Sequence, residues 1–196
     1  MAIKWLDAEQ VNQLLVTVEK RKGLIGQRDT VIVRLLWETG MRIDECLSLT
    51  TADVNLDRKE IKIRRAKRNK SRTVAWRNER TTELLREWLA VRPESDYVFP
   101  IVRGPGRGGE ASKGNKIPTN SWRGEMKRYV QQAGLPPWVS SHNLRHSFAM
   151  YMLDRGMLLP ELQVLLGHSD MSTTGQYVAV HNKQALSRAK SIMDNF

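Results

Sequence analysis

Four short stretches of the chain hold residues able to grip an anion or move a proton. "LGHSDMSTTGQYVAV", Leu166 to Val180, sets His168 after a glycine and places Tyr177 nine residues later. "SHNLRH", Ser141 to His146, puts His142 and Arg145 at i and i+3, so a helix there would present both on one face. Such a pair suits a phosphodiester. The arginine can donate two parallel hydrogen bonds to phosphate oxygens, and the histidine can transfer a proton near neutral pH. His146 falls on another face by this reading and serves packing or capping. "RRAKRNKSR", Arg64 to Arg72, concentrates cations in one short segment. Arg64, Arg65, Arg68, Lys70 and Arg72 are candidates for contacts to a nucleic-acid backbone, because a cation-loaded β-ribbon suits a groove and its phosphates. In "ETGMRIDECLSL", Arg42 follows the glycine of a helix end, with Glu45 three residues on. That pair is either a surface ion pair of little energetic weight or a guanidinium held in a fixed pose.

Bulk composition narrows the partners. The 196 residues carry 32 Lys plus Arg against 21 Asp plus Glu, a formal charge of +11, which favours a polyanionic partner. Hydrophobic residues make up 40%, enough for a packed globule rather than a disordered chain. Cys46 is the single cysteine, so no intramolecular disulfide and no cysteine-rich metal site can form, and its apolar neighbours read as core. The opening "MAIKWLDAEQ" has no long apolar run, and "VIVRLLW" is too short and is broken by Arg34. No membrane association and a cytoplasmic location are expected.

The elements that must position these residues follow from periodicity. Asp7 with Gln10 forms a capping box ahead of an apolar face made by Val11, Leu14, Leu15 and Val18. "RDTVIVRLLWETG" reads as a helix closed by Gly40, and "MRIDECLSL" as a short helix after it. Alternation in "KEIKIRR" and "SRTVAW" predicts a β-hairpin from Lys59 to Trp76. "ERTTELLREWLAVR" returns to helical spacing, and "DYVFP" reads as a short edge strand. A Gly-rich basic loop at about 102–117 separates these from helices at "TNSWRGEMKRYVQQAG", "SHNLRHSFAMYMLDRG" and "PELQVLLG". A last amphipathic helix is expected at about 182–195. The class is α+β, mainly α-helical, with a small antiparallel hairpin or sheet on one edge. The loop reads as an insertion within one domain, since neither half alone has a balanced core.

In this order, "TGMRIDECLSLTTADV", "KRNKSRTVAW", "SSHNLRHSFAMYMLDRG" and "LGHSDMSTTGQYVAV" resemble the four boxes of the tyrosine recombinase (phage integrase) family, from about Leu6 to Val180. The resemblance implies a catalytic domain of that family and a catalytic set of Arg42, Lys67, His142, Arg145, His168 and Tyr177, supported by Glu45. Tyr177 would attack a DNA phosphodiester and form a 3′-phosphotyrosyl bond. Arg42 and Arg145 would clamp the phosphate and His168 would add a hydrogen bond. Lys67 would protonate the departing 5′ oxygen, and His142 would assist proton transfer at Tyr177. No metal and no cofactor is implied, and the chain has neither a phosphate-binding Gly-Lys-Ser/Thr loop nor a two-metal carboxylate cluster. The implied partners are double-stranded DNA at attachment-type sites and three further copies of the chain, in a tetramer on DNA.

Two positions depart from the family hairpin, which typically reads Lys-Gly-x-Lys-x-Arg-x-Val-Pro. Arg68 replaces the glycine and Ala75 the proline, and register to Arg72 and Val74 favours Lys67 over Lys70 as the acid. The family's usual N-terminal core-binding domain is not found in this sequence, so the chain reads as a cut-out catalytic domain or a naturally short member. Integration or excision of a phage or mobile element is the expected outcome. Inversion and dimer resolution use the same chemistry. A type IB topoisomerase, or a regulator that binds DNA without cutting it, remains the alternative. The helix after Tyr177 is expected either to dock on a neighbouring subunit or to pack on its own domain.

Overall fold

A computed structural model describes residues 4–64, 71–102, 114–167 and Met193. Helix α1 (Ala8–Glu19) starts at the expected capping box: the Asp7 carboxylate accepts from the Gln10 N–H at 2.8 Å, and the Gln10 side chain returns a bond to the Asp7 N–H. Helix α2 (Gly23–Thr39) is the central element, with Val31, Ile32, Val33, Leu35 and Leu36 all fully buried. It packs against α1, α4 (Glu79–Val91) and α6 (Ser141–Asp154), which is why its apolar residues surround it instead of forming one stripe.

Helix α2 starts five residues before the predicted Arg28, because Gly26 lets it pass close to the preceding turn. A Cβ there would stand 1.8 Å from the Arg21 carbonyl oxygen. The helix ends at Gly40, in the left-handed region at φ 62, whose N–H caps the Leu36 carbonyl at 3.1 Å. A Cβ at Gly40 would also strike the Phe148 ring at 2.3 Å, so backbone conformation and helix packing both require glycine.

Helix α3 (Ile43–Leu47) follows, then a three-stranded antiparallel sheet in the order β1 (Val54–Asn55), β2 (Glu60–Ile63), β3 (Arg72–Ala75). The predicted hairpin is β2 and β3, in the register Ile61 to Val74 and Ile63 to Arg72. "DYVFP" is not a strand. Tyr97 makes one isolated bridge to Thr50, and Pro100 another to Lys116. Pro100 lacks the N–H that a strand needs, and Arg92 Nη1 donates to the carbonyls of Pro93, Ser95 and Tyr97, which closes the segment into a loop.

Helices α5 (Thr119–Gln132), α6 and α7 (Leu159–Leu166) complete the described part. Residues 116 and 117, placed by the sequence in the loop, belong to the fold: Lys116 bridges Pro100, and Ile117 is buried. Trp122, Met126 and Tyr129 of α5 enter the same core as Leu14 and Val18 of α1, so chain on both sides of residues 103–113 shares one core. Helix α7 carries Pro160 in its first turn and ends at Gly167 in the left-handed region, as its sequence predicts. No described helix is long and apolar enough to cross a membrane.

Candidate active site

Arg42 is the N-cap of α3, in extended backbone immediately after the α2 terminus. Its N–H donates to Glu45 Oε2 at 2.8 Å and its Nη1 reaches Glu45 Oε1 at 3.3 Å. Arg42 is thus paired with Glu45 through both backbone and side chain, and it keeps its outer face in solvent, with the side chain 42% exposed. Arg72 grips the same carboxylate bidentately, Nη1 to Oε1 at 2.8 Å and Nη2 to Oε2 at 2.7 Å. Burial alone would raise the Glu45 pKa. The Arg72 hydrogen bonds and the Arg42 N–H, with both guanidinium charges, bring it instead down to about 2.

Arg145 and His142 leave α6 on one face, as the i, i+3 spacing requires. Arg145 is 2% exposed and spans two helix ends: Nη1 donates to the Gly40 carbonyl at 2.7 Å and Nη2 to the Leu166 carbonyl at 2.9 Å. The C-terminal carbonyls of a helix have no partner inside it, so Arg145 supplies one to α2's cap residue and one to the last turn of α7. Such anchoring sets the guanidinium plane before any ligand arrives. His142 sits at the exposed rim, where partial loss of hydration, then the charges of Arg145 and Arg42, push its pKa down. It is therefore neutral, and able to accept a proton, further into the acid range than an ordinary histidine.

His146 does not face away from His142. The two rings meet edge to face with centroids 4.3 Å apart, because i and i+4 lie one turn apart on the same side of α6. His146 is buried, in keeping with a packing role.

Arg42, His142 and Arg145 line one open cleft of about 440 Å³ between α3, α5 and α6. Arg123 and Lys127 of α5 line it too, both exposed, and sequence reasoning missed them. Their i, i+4 spacing on the polar side of an amphipathic helix was a signal, but one shared by many solvated helix faces.

Among the hairpin cations named as candidate DNA contacts, the described residues are Arg64 and Arg72. Arg64 is 64% exposed and pairs with Asp53 at 2.6 Å, so it is placed as a surface cation. Arg72 is a correction: it faces inward with only 10% of its side chain exposed, bonded to Glu45 and, through Nε, to the Leu165 carbonyl at 2.9 Å. Strand alternation explains this. Arg72 pairs across the hairpin with buried Ile63 and lies two residues before buried Val74, so it shares their face. That signal was present in the sequence. Lys67, His168 and Tyr177, together with Arg65, Arg68, Lys70 and the expected helix at 182–195 apart from Met193, lie outside the described residues. Cys46 is fully buried, and burial pushes its thiol pKa well up.

Residues 4–184 match the model of the phage integrase family. The chain is 34% identical over 195 residues to the tyrosine recombinase XerA of Pyrococcus furiosus, covering 98% of this chain and 63% of that protein. It is 36% identical to XerA of Thermococcus kodakarensis over 96% of this chain and 64% of the relative. To XerC of Histophilus somni the identity is 32%, over 89% and 56% of the two chains. The chain thus spans under two thirds of the length of these curated relatives. Among solved structures it is similar to the XerH site-specific recombinase bound to palindromic difH substrate in a post-cleavage complex, with a TM-score of 0.80 and 26% identity over 99% of this chain and 54% of that one. The catalytic domain of bacteriophage HP1 integrase shares the fold, with a TM-score of 0.61 and 23% identity over 94% of both chains.

Proposed function

The chain belongs to the phage integrase family, and from that premise we propose that it cuts and rejoins double-stranded DNA through Tyr177, as the catalytic domain of a site-specific recombinase. The observation that carries the reading is the convergence of Arg42, His142 and Arg145 on one cleft, although Arg42 stands about a hundred residues from the other two.

A phenol with a pKa near 10 is a weak nucleophile in water. Two guanidinium groups at a scissile phosphate favour attack by stabilising both the phenolate and the added negative charge of the five-coordinate phosphorus. Arg42 and Arg145 take the non-bridging oxygens. Arg145 enters already oriented by the Gly40 and Leu166 carbonyls, so little reorganisation is needed in the reaction. His142 accepts the Tyr177 proton and returns it on religation, a role that suits its depressed pKa. His168 adds a hydrogen bond to the phosphate, and Lys67 protonates the 5′ oxygen as it departs. The phosphotyrosyl bond conserves the energy of the broken linkage, so a 5′ hydroxyl on a second strand can reverse the attack without nucleotide or metal.

The exposed cations Arg64, Arg123 and Lys127, joined by Arg65, Arg68 and Lys70, support binding to the DNA backbone. Exchange between two sites requires several copies of the chain, and a tetramer on DNA supplies four tyrosines for four strand cuts. The chemistry serves integration, excision, inversion and dimer resolution alike. A phage or mobile-element target is the reading for the integrase resemblance, with resolution of DNA dimers as the alternative, and the relatives' names, tyrosine recombinases XerA and XerC, fit either.

Covalent trapping decides between these. The protein is mixed with fragmented genomic DNA from its own source and denatured in detergent, and DNA still attached to protein is recovered. Adducts are expected with the wild type and not with Tyr177→Phe. Their sequenced ends then separate a mobile-element junction from a single chromosomal site. Adducts that persist in Tyr177→Phe, or their absence from the wild type, would overturn the assignment.

A further inference from the structure

Arg72 was expected to touch DNA, and its environment gives it a different task. All three of its guanidinium nitrogens have acceptors inside the protein: both Glu45 oxygens and the Leu165 carbonyl. It belongs to β3, Glu45 to α3 and Leu165 to the last turn of α7. One side chain thus joins three elements that local sequence cannot hold together. The Leu165 carbonyl is next to that of Leu166, which Arg145 holds, so two arginines from different elements occupy neighbouring carbonyls at one helix end. Glu45 in turn holds Arg42 by backbone and side chain. We propose that Arg72 is a positioning residue of the cleft: it fixes the Glu45 carboxylate, and through it Arg42, against the same end of α7 that anchors Arg145.

This assignment rests on the reading of the cleft as a phosphate site. It replaces a DNA-contact role for Arg72 with an indirect one. Arg72 never meets the substrate, yet its loss frees one oxygen pair of Glu45 and lets Arg42 leave its pose. A bidentate arginine is hard to replace here. Lysine keeps the charge, but a single ammonium cannot span both carboxylate oxygens and the carbonyl. Among the described residues, the charged groups facing Glu45 are Arg42, the N-cap of its helix, and Arg72 from the hairpin, with the buried Cys46 thiol adjacent.

The test compares wild type, Arg72→Gln, Arg72→Lys and Arg72→Gln/Glu45→Gln in the full chain. Three readouts are taken: adduct yield on fragmented genomic DNA, the salt dependence of binding to that DNA, and the Glu45 titration followed by carboxyl carbon NMR. A misplaced clamp should lower the adduct rate about 100-fold in Arg72→Gln. Arg72→Lys should fall between it and wild type, and the double variant should lose no more than Arg72→Gln. The salt slope should stay that of wild type, and the Glu45 pKa should rise from about 2 in both single variants. A salt slope smaller by about one would show a lost phosphate contact and overturn the proposal. An unchanged Glu45 titration, or an adduct rate within twofold of wild type, would also overturn it. If Arg72→Gln does not fold, Arg72→Lys carries the same three readouts. If the wild type forms no adduct, the functional reading fails, while salt slope and titration still decide what Arg72 does.

Discussion

Asp29 and Glu45 are both held by arginines, and their surroundings move them in opposite directions. Asp29 of α2 is wholly buried and accepts from Arg28 Nε at 2.9 Å and the Tyr129 hydroxyl at 2.7 Å, with Arg21 Nη1 at 3.5 Å. Burial raises its pKa despite the Arg28 charge and these bonds. Glu45 has 13% of its side chain exposed, and there hydrogen bonding outweighs burial and depresses its pKa. The groups around Asp29 satisfy one another: Arg28 also leans on the Pro100 carbonyl, while Arg21 binds Glu125 at 2.7 Å and the Tyr129 oxygen. Around Glu45, Arg42 keeps a solvent face on the cleft. The same chemical components make a structural clasp between the α1–α2 turn, α2 and α5 in one place and an anion-ready surface in the other. What differs is how far the solvent-facing cation is already engaged: Arg21, 33% exposed, is also bound by Glu125 and Tyr129, whereas Arg42, 42% exposed, bonds to Glu45 and lines the cleft.

The largest effect that would sharpen this contrast is Asp29→Ala. It leaves Arg28 and Tyr129 without their buried partner, and about 3–5 kcal/mol of stability should be lost in denaturant unfolding. Adduct yield per folded molecule should match wild type, and a selective loss of activity would break the contrast. A somewhat smaller effect attaches to pH. Glu45 falls from an ordinary 4.5 to about 2 on folding, which corresponds to about 3 kcal/mol of stability at neutral pH. A lowered acid pKa contributes fully above the unfolded value and fades as pH falls from about 4.5 through 2. Asp29, with a raised pKa, has the opposite sign: its contribution fades as pH rises. Glu45→Gln should therefore flatten the acid loss of stability measured by unfolding at stepped pH. A slope identical to wild type would remove Glu45 from the comparison.

The smallest effect concerns His142. Its lowered pKa puts the acid limb of the cleavage rate below the ordinary histidine value of about 6.5. Arg42→Gln removes one of the charges that depress it, so the limb should move toward higher pH as the rate falls. An acid limb that stays in place in this variant would show that another group sets it.

Much of the positioning was legible locally. The Asp7 capping box, the left-handed caps at Gly40 and Gly167 and the period-two pattern of the hairpin depend on neighbours a few residues away, and the structure has each of them. Strand alternation would also have turned Arg72 inward, had Val74 been read as its guide. The density of cations in "RRAKRNKSR" pointed the other way. "DYVFP" failed as a strand because its pattern could not reveal that Arg92 would gather the carbonyls of Ser95 and Tyr97 at its start. Arg123 and Lys127 could not be told from an ordinary solvated helix face, because an exposed cation on a helix gains a role only from what lies across the cleft.

The sequence by itself determined the caps at Asp7, Gly40 and Gly167, the hairpin and the order of the four boxes. These follow from short-range hydrogen bonding, backbone freedom at glycine and residue type. Only the tertiary structure decided which charged groups are occupied and which face the cleft. The partners of Arg72 and Arg145 lie 21 to 105 residues away along the chain, and no local pattern specifies whether a guanidinium meets a carboxylate, a helix-end carbonyl or open solvent.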